Sequence, residues 1–453
     1  MSGMDDAATP MSDGHDWFGH PRGLTILFLT EMWSQFSFFG MRALLVYYMT
    51  KELLIGQAHS SYIYGIYSSF VYFTPLIGGA ISDHWLGRRR AVILGASIMA
   101  FGHFMMAFEP LFYPALATIV IGNGLFLPSL ASQINYLYAP GDPRRATAYN
   151  VYYVGVNLGA FLAPFVCGTV GELYGWHWGF ALAGIGMMIG LLTYLGGGRY
   201  LPRSDAETVT SAAPALDGQT AAQTRTAPGT YLLLASVIAI VVIFRAAYEQ
   251  SGNTIALWAD SGIDRHVGAA FQVPMTWFQS LNPLMIFLFT PVIVAWWARA
   301  ARRGRAQSTL AKMATGGFVV ALSYLLLASV AAWAGPERAN WLWLVLFFLV
   351  YTTGELFILP VGLGLFGRLA PRGFAATAIA AWFVAAFFGN LAAGGVGSLW
   401  STMTPATFFV VTGVLAALSG ALLLCLVPWA RGIEAGADAT LRSGSNPESR
   451  CPS

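Results

Sequence analysis

The sequence predicts an all-α membrane protein of about twelve transmembrane helices in two six-helix halves. Apolar residues make up 56% of the chain and charged residues only 10%, against roughly 25% charged residues in a typical soluble domain. Residues 373–430 contain no Asp, Glu, Lys or Arg. A soluble protein has too little polar surface to cover so much apolar sequence, so the lipid bilayer is the expected solvent.

Twelve apolar segments have the length of about 20 residues that a bilayer-spanning helix requires. Residues 201–229 are rich in Ala, Thr, Ser and Pro, lack apolar periodicity, and are predicted to be a cytoplasmic linker. Six helices, a linker and six helices are typical of the major facilitator fold. The predicted spans 1 to 12 are 23–50, 61–82, 91–108, 112–138, 147–170, 178–199, 230–258, 274–298, 309–334, 340–369, 373–399 and 405–430. The predicted domains are an N-terminal segment 1–22, an N-terminal half 23–200, the linker 201–229, a C-terminal half 230–430 and a disordered tail 431–453.

Basic residues indicate the orientation of these spans. With the N-terminus in the cytoplasm, most Lys and Arg residues fall in inner loops, and the outer loops contain only Lys51, Arg265 and Arg338. This asymmetry follows the positive-inside rule. It predicts a multi-pass protein of the cytoplasmic (inner or plasma) membrane with both termini in the cytoplasm.

Five charged residues fall inside the predicted spans and away from the ends that face the cytoplasm: Glu31, Arg42, Arg245, Glu249 and Glu355. A charge at the centre of a membrane costs at least about 2.5–3.5 kcal/mol, and such residues usually face a cavity and have a function. The structural alternative is that they form ion pairs that only hold the bundle together. Three acids and two bases leave one carboxylate without an obvious partner, which predicts a proton-coupling element.

Several segments carry recognisable motifs in the order of the spans. Span 1 reads Glu31-Met-Trp-Ser34-Gln35-Phe-Ser-Phe38-Phe39-Gly40-Met-Arg42, which resembles E-x-x-E-R-F-x-Y-Y-G-x-R of the proton-coupled oligopeptide transporter family. The junction of spans 2 and 3 resembles G-G-x-x-x-D-x-x-G-R-R of the wider superfamily, with three residues instead of two between Asp83 and Gly87. Other matching segments are Tyr152–Ala160 in span 5, Tyr248–Gly252 in span 7, Phe278–Pro283 in span 8 and Gly354–Leu363 in span 10. Together they cover nearly all of both halves.

The resemblance implies roles for individual residues. Glu355 matches the glutamate that receives the amino terminus of the peptide, and Asn157 and Asn282 match contacts to the peptide backbone. Arg42 and Glu249 match a pair that closes the outer gate, so a contact between spans 1 and 7 is expected, and Glu31 and Glu249 are the expected coupling or gating acids. The remaining expected residues are Tyr64, Tyr67, Trp382 and Gln35 for substrate binding and Asp83, Arg88 and Arg89 for a cytoplasmic latch.

The sequence departs from the family pattern at charged positions. Ser34 and Gln35 replace a Glu and an Arg of the span 1 motif, and Leu127 replaces the Lys of span 4. The family Arg and Lys hold the peptide carboxylate, so either Arg245 or Arg42 replaces them or the substrate differs. The linker is also too short for the two additional helices of many bacterial members.

We therefore expect proton-coupled symport of di- or tripeptides or peptide-like molecules by alternating access. The alternatives are a facilitator or exporter of a peptide-like metabolite without a carboxylate, and a non-transporting membrane receptor. The sequence contains no H-E-x-x-H, G-x-S-x-G or zinc-binding spacing, so neither an enzyme nor a metal or cofactor is expected. The expected partners are the substrate, protons and the lipid bilayer, with no nucleic acid, and the expected state is a monomer.

Overall fold

The computed structural model describes residues 19–139, 142–202, 228–268, 271–369 and 375–444. Most of the predicted N-terminal segment and linker, and the last nine residues of the predicted tail, lie outside these ranges. The described chain is almost entirely helical, as predicted. Its long helices are α1 Arg22–Tyr47, α2 Gln57–Ile81, α3 Arg88–Met105, α4 Phe112–Ser132, α5 Arg144–Ala163, α7 Trp176–Gly196, α8 Pro228–Tyr248, α10 Leu281–Arg302, α11 Thr309–Ala334, α12 Leu342–Leu369, α13 Ala375–Ser398 and α14 Pro405–Gly444.

Two short helices and four short strands complete the described structure. Helix α6 (Thr169–Tyr174) follows α5 after a π-helical turn at Pro164–Gly168, and α9 (Thr254–Ser261) follows α8. Strand β1 (Ile263–Asp264) pairs in parallel with β4 (Ala339–Asn340), and β2 (His266–Val267) pairs antiparallel with β3 (Phe271–Gln272). These strands all lie in connections between helices.

Nine helical segments of the described chain are long and apolar enough to cross a membrane by composition alone. They correspond to predicted spans 4 to 12. Helices α1, α2 and α3 contain 26, 25 and 18 residues, so they have the length of spans but more polar sequences. Helix α1 contains Glu31 and Arg42, α2 is rich in Ser and Tyr, and α3 begins with three arginines.

The described chain forms two compact units by its internal contacts. Unit 1 comprises residues 1–41 and 74–216, and unit 2 comprises residues 42–73 and 217–453. In unit 1, α3 packs against α4 and α7. Close helix approach in this unit depends on glycine, because a Cβ atom at Gly78 would overlap the backbone of Gly124. The superfamily motif on α2 therefore includes a glycine that α4 requires.

In unit 2, α11 packs against both α12 and α14, and α8 packs against α13 and α14. Their buried side chains form one apolar cluster that includes Phe244, Tyr324, Phe347 and Tyr351. The segment Arg42–Phe73 belongs to this unit, so the end of α1 and most of α2 are grouped with the helices that follow residue 217.

The structure corrects two secondary-structure boundaries. Predicted span 7 (230–258) is interrupted, because α8 ends at Tyr248 and a 3-10 turn at Glu249–Gly252 precedes α9. The predicted disordered tail 431–453 is helical as far as Gly444, because α14 continues past residue 430. Residues 431–444 contain no proline and include the helix formers Glu434, Leu441 and Arg442, so no strong helix breaker ends the helix at the edge of the span.

Candidate functional site

The centre of the candidate site in unit 2 is the carboxylate of Glu355 on α12. The residue is only 7% exposed. Its Oε1 accepts a hydrogen bond of 2.8 Å from the Tyr248 hydroxyl, and its Oε2 accepts one of 2.5 Å from the Asn282 amide. The same Asn282 nitrogen lies 3.0 Å from the Thr352 hydroxyl, one turn before Glu355. Neither Glu355 oxygen forms an ion pair within the described part of the chain, so two neutral donors hold this carboxylate.

Tyr248 is held in place by an aromatic stack. Its ring lies parallel to that of Tyr351, with centroids 5.2 Å apart and an interplanar angle of 5°, and Phe244 stacks on it at 5.7 Å. The Tyr351 hydroxyl donates to the backbone carbonyl of Tyr248, and the Tyr324 hydroxyl donates to that of Ala247. These carbonyls lie where α8 gives way to the 3-10 turn, and backbone groups at membrane depth need such partners. The helix end and the tyrosines together fix the Tyr248 hydroxyl beside Glu355.

A second charged cluster surrounds Glu249, at the first residue of the 3-10 turn. Arg42 places Nη2 2.8 Å from Glu249 Oε2, and Arg245 places Nη1 2.8 Å from Oε1. The contact expected between Arg42 and Glu249 is therefore present, and Glu249 also pairs with Arg245 on its own helix. Arg42 Nε donates to the Tyr64 hydroxyl at 2.6 Å. Glu249 is 2% exposed, so a buried carboxylate bridges two guanidinium groups.

The other predicted binding residues of unit 2 are packed rather than open. Tyr64 and Tyr67 are buried on α2, and the Tyr64 hydroxyl accepts a hydrogen bond from Arg42. Trp382 on α13 is 5% exposed and packs against Phe366 with ring centroids 5.4 Å apart. The structure therefore places Trp382 in the apolar cluster of unit 2.

In unit 1, the predicted coupling acid Glu31 lies on α1 and is 1% exposed. Gln35, one turn later, donates from Nε2 to Glu31 Oε1 at 2.8 Å. Glu31 Oε2 is buried without a hydrogen-bond partner among the described residues. The residue that replaces the family arginine is thus a neutral donor to this acid. Asn157 uses its amide nitrogen on the carbonyl of Tyr153 in its own helix, at 3.0 Å, and no hydrogen bond joins it to Glu31 in the described chain.

The predicted latch residues lie at the junction of α2 and α3. Arg88 Nη2 is 3.4 Å from Asp83 Oδ1, and the Arg88 guanidinium lies 4.5 Å from the ring centroid of Tyr136. The Arg89 guanidinium packs beside Gly198, after α7. Gly87, which lies between Asp83 and Arg88 in the sequence, has φ +74°, a conformation that glycine adopts at low cost. The motif thus forms a compact charged corner within unit 1.

Sequence reasoning assigned no role to three residues of the site: Tyr248, Thr352 and Tyr72. Tyr248 directly precedes Glu249 in a motif that was recognised, and Thr352 lies one turn from Glu355, so spacing alone could have marked both. Tyr72 on α2 lies 5.3 Å from the Arg245 guanidinium carbon. No pattern in the sequence marks Tyr72, because its partner Arg245 lies on a helix far away along the chain.

This arrangement suits binding rather than bond cleavage. A buried carboxylate held by neutral donors accepts a cation, and a carboxylate between two guanidinium groups is a switchable ion pair. Carboxylates in such surroundings bind ammonium groups or protons.

Comparison with known proteins shows that most of the chain is similar to members of one transporter family. A family model described as the POT family matches residues 89–209 and 224–411, which is more than half of the chain. A peptide transporter of Yersinia enterocolitica is 31% identical over 501 residues, covering 93% of this chain and 97% of that protein. A di-/tripeptide transporter of Lactococcus lactis is 31% identical over 478 residues, covering 90% and 96%.

The fold has close counterparts among solved structures. The crystal structure of the peptide transporter POT in complex with sulfate superposes with a TM-score of 0.82 at 29% identity, covering 91% of this chain and 96% of that one. The helices of that transporter therefore follow the same path as those described above, which confirms the predicted fold.

Proposed function

Since the chain belongs to the POT family, and is thus a membrane transporter and not an enzyme, we propose that it imports di- or tripeptides or peptide-like molecules together with protons, by alternating access. The observation that carries this proposal is the Glu355 carboxylate, which is buried and held by Tyr248 and Asn282 without a resident cation among the described residues. The relatives named above are peptide transporters.

Glu355 is the proposed acceptor for the substrate ammonium group. Each carboxylate oxygen has two lone pairs, and the two neutral donors use one on each oxygen. An ammonium group supplies three N–H donors and the missing positive charge. Because an unpaired charge inside a membrane is costly, the site favours a ligand with a free amine. Asn282 and Asn157 are proposed to contact the rest of the peptide, together with aromatic side chains.

Glu31 and Glu249 are the proposed coupling and gating acids. Protonation neutralises Glu31, which accepts a hydrogen bond from the neutral Gln35. A neutral carboxyl crosses a conformational change without the cost of carrying a charge through the membrane. Protonation of Glu249 would weaken its two arginine contacts and so release the end of α1 from α8. One charge moving through 100 mV supplies about 2.3 kcal/mol, enough for a roughly 50-fold concentration gradient.

The placement in the cell belongs to the same proposal. We propose a monomer in the plasma membrane. The excess of Lys and Arg in the predicted inner loops supports the part of this proposal that places both termini in the cytoplasm. Single cysteines introduced at Arg303 and Arg338 in a variant without native cysteines test it. A membrane-impermeant thiol reagent added to intact cells should label the second site and not the first, and the reverse pattern would contradict this orientation.

The experiment that tests the transport function is uptake of labelled dialanine into proteoliposomes under an inward proton gradient. Uptake should follow the gradient in the wild type and be lost in Glu355→Gln, which removes the negative charge but keeps the shape. Glu337→Gln is the matched control, because Glu337 is an exposed outer-loop glutamate in the same unit. Folded wild-type protein that takes up no peptide under any gradient would contradict the proposal.

A second candidate function is a facilitator or exporter for a peptide-like metabolite without a carboxylate. It is favoured by the neutral residues Gln35 and Leu127, of which Gln35 is engaged with Glu31. The variant Gln35→Arg with Leu127→Lys separates the two functions. A variant that transports dialanine better than the wild type would contradict this candidate.

A further inference from the structure

The cluster around Glu249 has more positive than negative charge. Arg42 and Arg245 each form a contact of 2.8 Å with Glu249, one on each carboxylate oxygen. A guanidinium group keeps its proton at any physiological pH, so ionised Glu249 balances only one of the two. Arg245 is 6% exposed. Within these three side chains one positive charge is in excess, and buried charges in membrane proteins usually pair with opposite ones.

Arg245 has donor capacity that its pairing with Glu249 does not use. A guanidinium group has five N–H donors, and one hydrogen bond to Glu249, through Nη1, is seen. Its Nε is buried and has no hydrogen-bond partner in the described chain. The Tyr72 ring lies 5.3 Å away and flanks the guanidinium. An arginine in this setting can bind a second carboxylate while it keeps the first.

The position of Arg245 is tied to that of Glu355. Arg245 and Tyr248 are three residues apart on α8 and lie on the same face of the helix, and Tyr248 holds Glu355 through its hydroxyl. Three residues of helix rise about 4.5 Å, while two extended residues span about 7 Å. Arg245 and Tyr248 are thus about one helical turn apart along α8, a spacing of the same order as the length of a dipeptide.

The neighbouring helix leaves room for the Arg245 side chain. A Cβ atom at Gly389 on α13 would overlap the methylene groups of Arg245. Even alanine at this position would force the arginine to move. The local packing of α8 against α13 thus accommodates a long cationic side chain within an otherwise apolar contact.

We infer that Arg245 binds the carboxylate of a zwitterionic peptide whose amine is bound by Glu355. This inference rests on the proposed peptide transport and deepens it, because it names the ligand class as peptides with a free carboxylate. A zwitterion supplies one positive and one negative charge, which match Glu355 and the unbalanced guanidinium. Arg245 then performs on α8 what Gln35 and Leu127, being uncharged, cannot perform elsewhere.

The test compares dialanine with dialanine amide, which keeps the amine and lacks the carboxylate charge. The inhibition constant of each is measured against labelled dialanine in proteoliposomes containing the full-length protein. The wild type should prefer the free acid by roughly 10- to 100-fold, the range for hydrogen bonds to charged groups. In Arg245→Gln the ratio should fall close to one, because the acid binds more weakly while the amide is little affected.

The matched control is Arg42→Gln, which removes the other guanidinium beside Glu249. It should slow transport but keep the preference for the acid. A purely structural role for Arg245 would weaken both ligands equally and leave the ratio unchanged, which would overturn the inference. If Arg245→Gln does not fold, Arg245→Lys is measured instead. It should retain part of the preference for the free acid, because lysine keeps the charge but not the planar donor geometry.

The outcomes separate this inference from the proposed function. A wild-type protein that takes up dialanine but binds acid and amide equally overturns the role of Arg245 and leaves peptide transport standing. A wild-type protein that binds neither ligand contradicts the proposed function and the inference together. A large ratio in the wild type that is lost only in the Arg245 variants supports both.

Discussion

The two arginines on Glu249 predict an asymmetry between the variants Arg42→Gln and Glu249→Gln. Arg42→Gln leaves Glu249 paired with Arg245 at 2.8 Å, so Glu249 loses one charged hydrogen bond, worth about 1.5–3 kcal/mol. The hydrogen bond from Arg42 Nε to the Tyr64 hydroxyl is lost in addition, at about 1 kcal/mol. Glu249→Gln leaves two guanidinium groups facing a neutral amide. Breaking a buried pair in this way costs about 3–5 kcal/mol, and the side chains of Arg42 and Glu249 are only 15% and 3% exposed.

These free energies translate into melting temperatures. An unfolding entropy of about 2.1 cal/mol/K per residue gives about 1 °C per kcal/mol for this chain of 453 residues, so Glu249→Gln should melt about 1–2 °C below Arg42→Gln. The double variant should be less destabilised than the sum of the two, because it removes one of the unpaired charges. Cys167 is a buried free cysteine, so a thiol-reactive fluorophore reports unfolding once Cys425 and Cys451 are replaced by serine.

The matched control is the surface pair of Asp142 and Arg144, which has a contact of similar length, 2.9 Å, but whose arginine side chain is 49% exposed. The side-chain hydrogen bond from Arg144 lowers the pKa of Asp142, but exposed pairs contribute little to stability. Asp142→Asn should therefore change the melting temperature at pH 7 only slightly. If Arg42→Gln destabilises the protein as much as Glu249→Gln, the reasoning from two guanidinium groups on one carboxylate is refuted.

Further predictions concern the substrate site, helix packing and pH. Tyr248→Phe removes one donor from Glu355 and should raise the KM for dialanine about 2- to 10-fold, as measured by uptake kinetics; an unchanged KM would count against this hydrogen bond. Gly389→Val should cost about 1–3 kcal/mol by overpacking, whereas Gly395→Val, with open space around it, should melt with the wild type. The pKa of Asp142 is lowered in the folded protein, so its small contribution to stability is present above about pH 4 and is lost as the pH falls through the folded-state pKa. The melting temperatures of the wild type and Asp142→Asn should therefore converge on acidification, and a constant difference would contradict this.

Much of the fold could be predicted from the sequence because the bilayer imposes a length and an apolar composition on every span. The break at Glu249 was missed, since a 3-10 turn of four residues changes neither length nor hydropathy. The helical start of the tail was missed because the hydropathy signal ends at residue 430, whereas helix propensity continues beyond it.

The candidate site was only partly predictable. Burial of Glu31, Glu249 and Glu355 followed from their positions within apolar spans, and the contact of Arg42 with Glu249 followed from family resemblance. Two contacts depend on how α8 ends and which helices surround it: the ion pair of Arg245 with Glu249 and the hydrogen bond from Tyr248 to Glu355. Such contacts join residues far apart in the sequence, so a single sequence does not specify them.

The most direct test of the central proposal is the internal pH of proteoliposomes when dialanine is added outside with no imposed proton gradient. A fluorescent pH indicator trapped inside records the movement of protons driven by the peptide alone. Acidification that depends on dialanine, is lost in Glu355→Gln and persists in Glu337→Gln is the predicted result. Entry of labelled dialanine without any change of internal pH would contradict proton coupling.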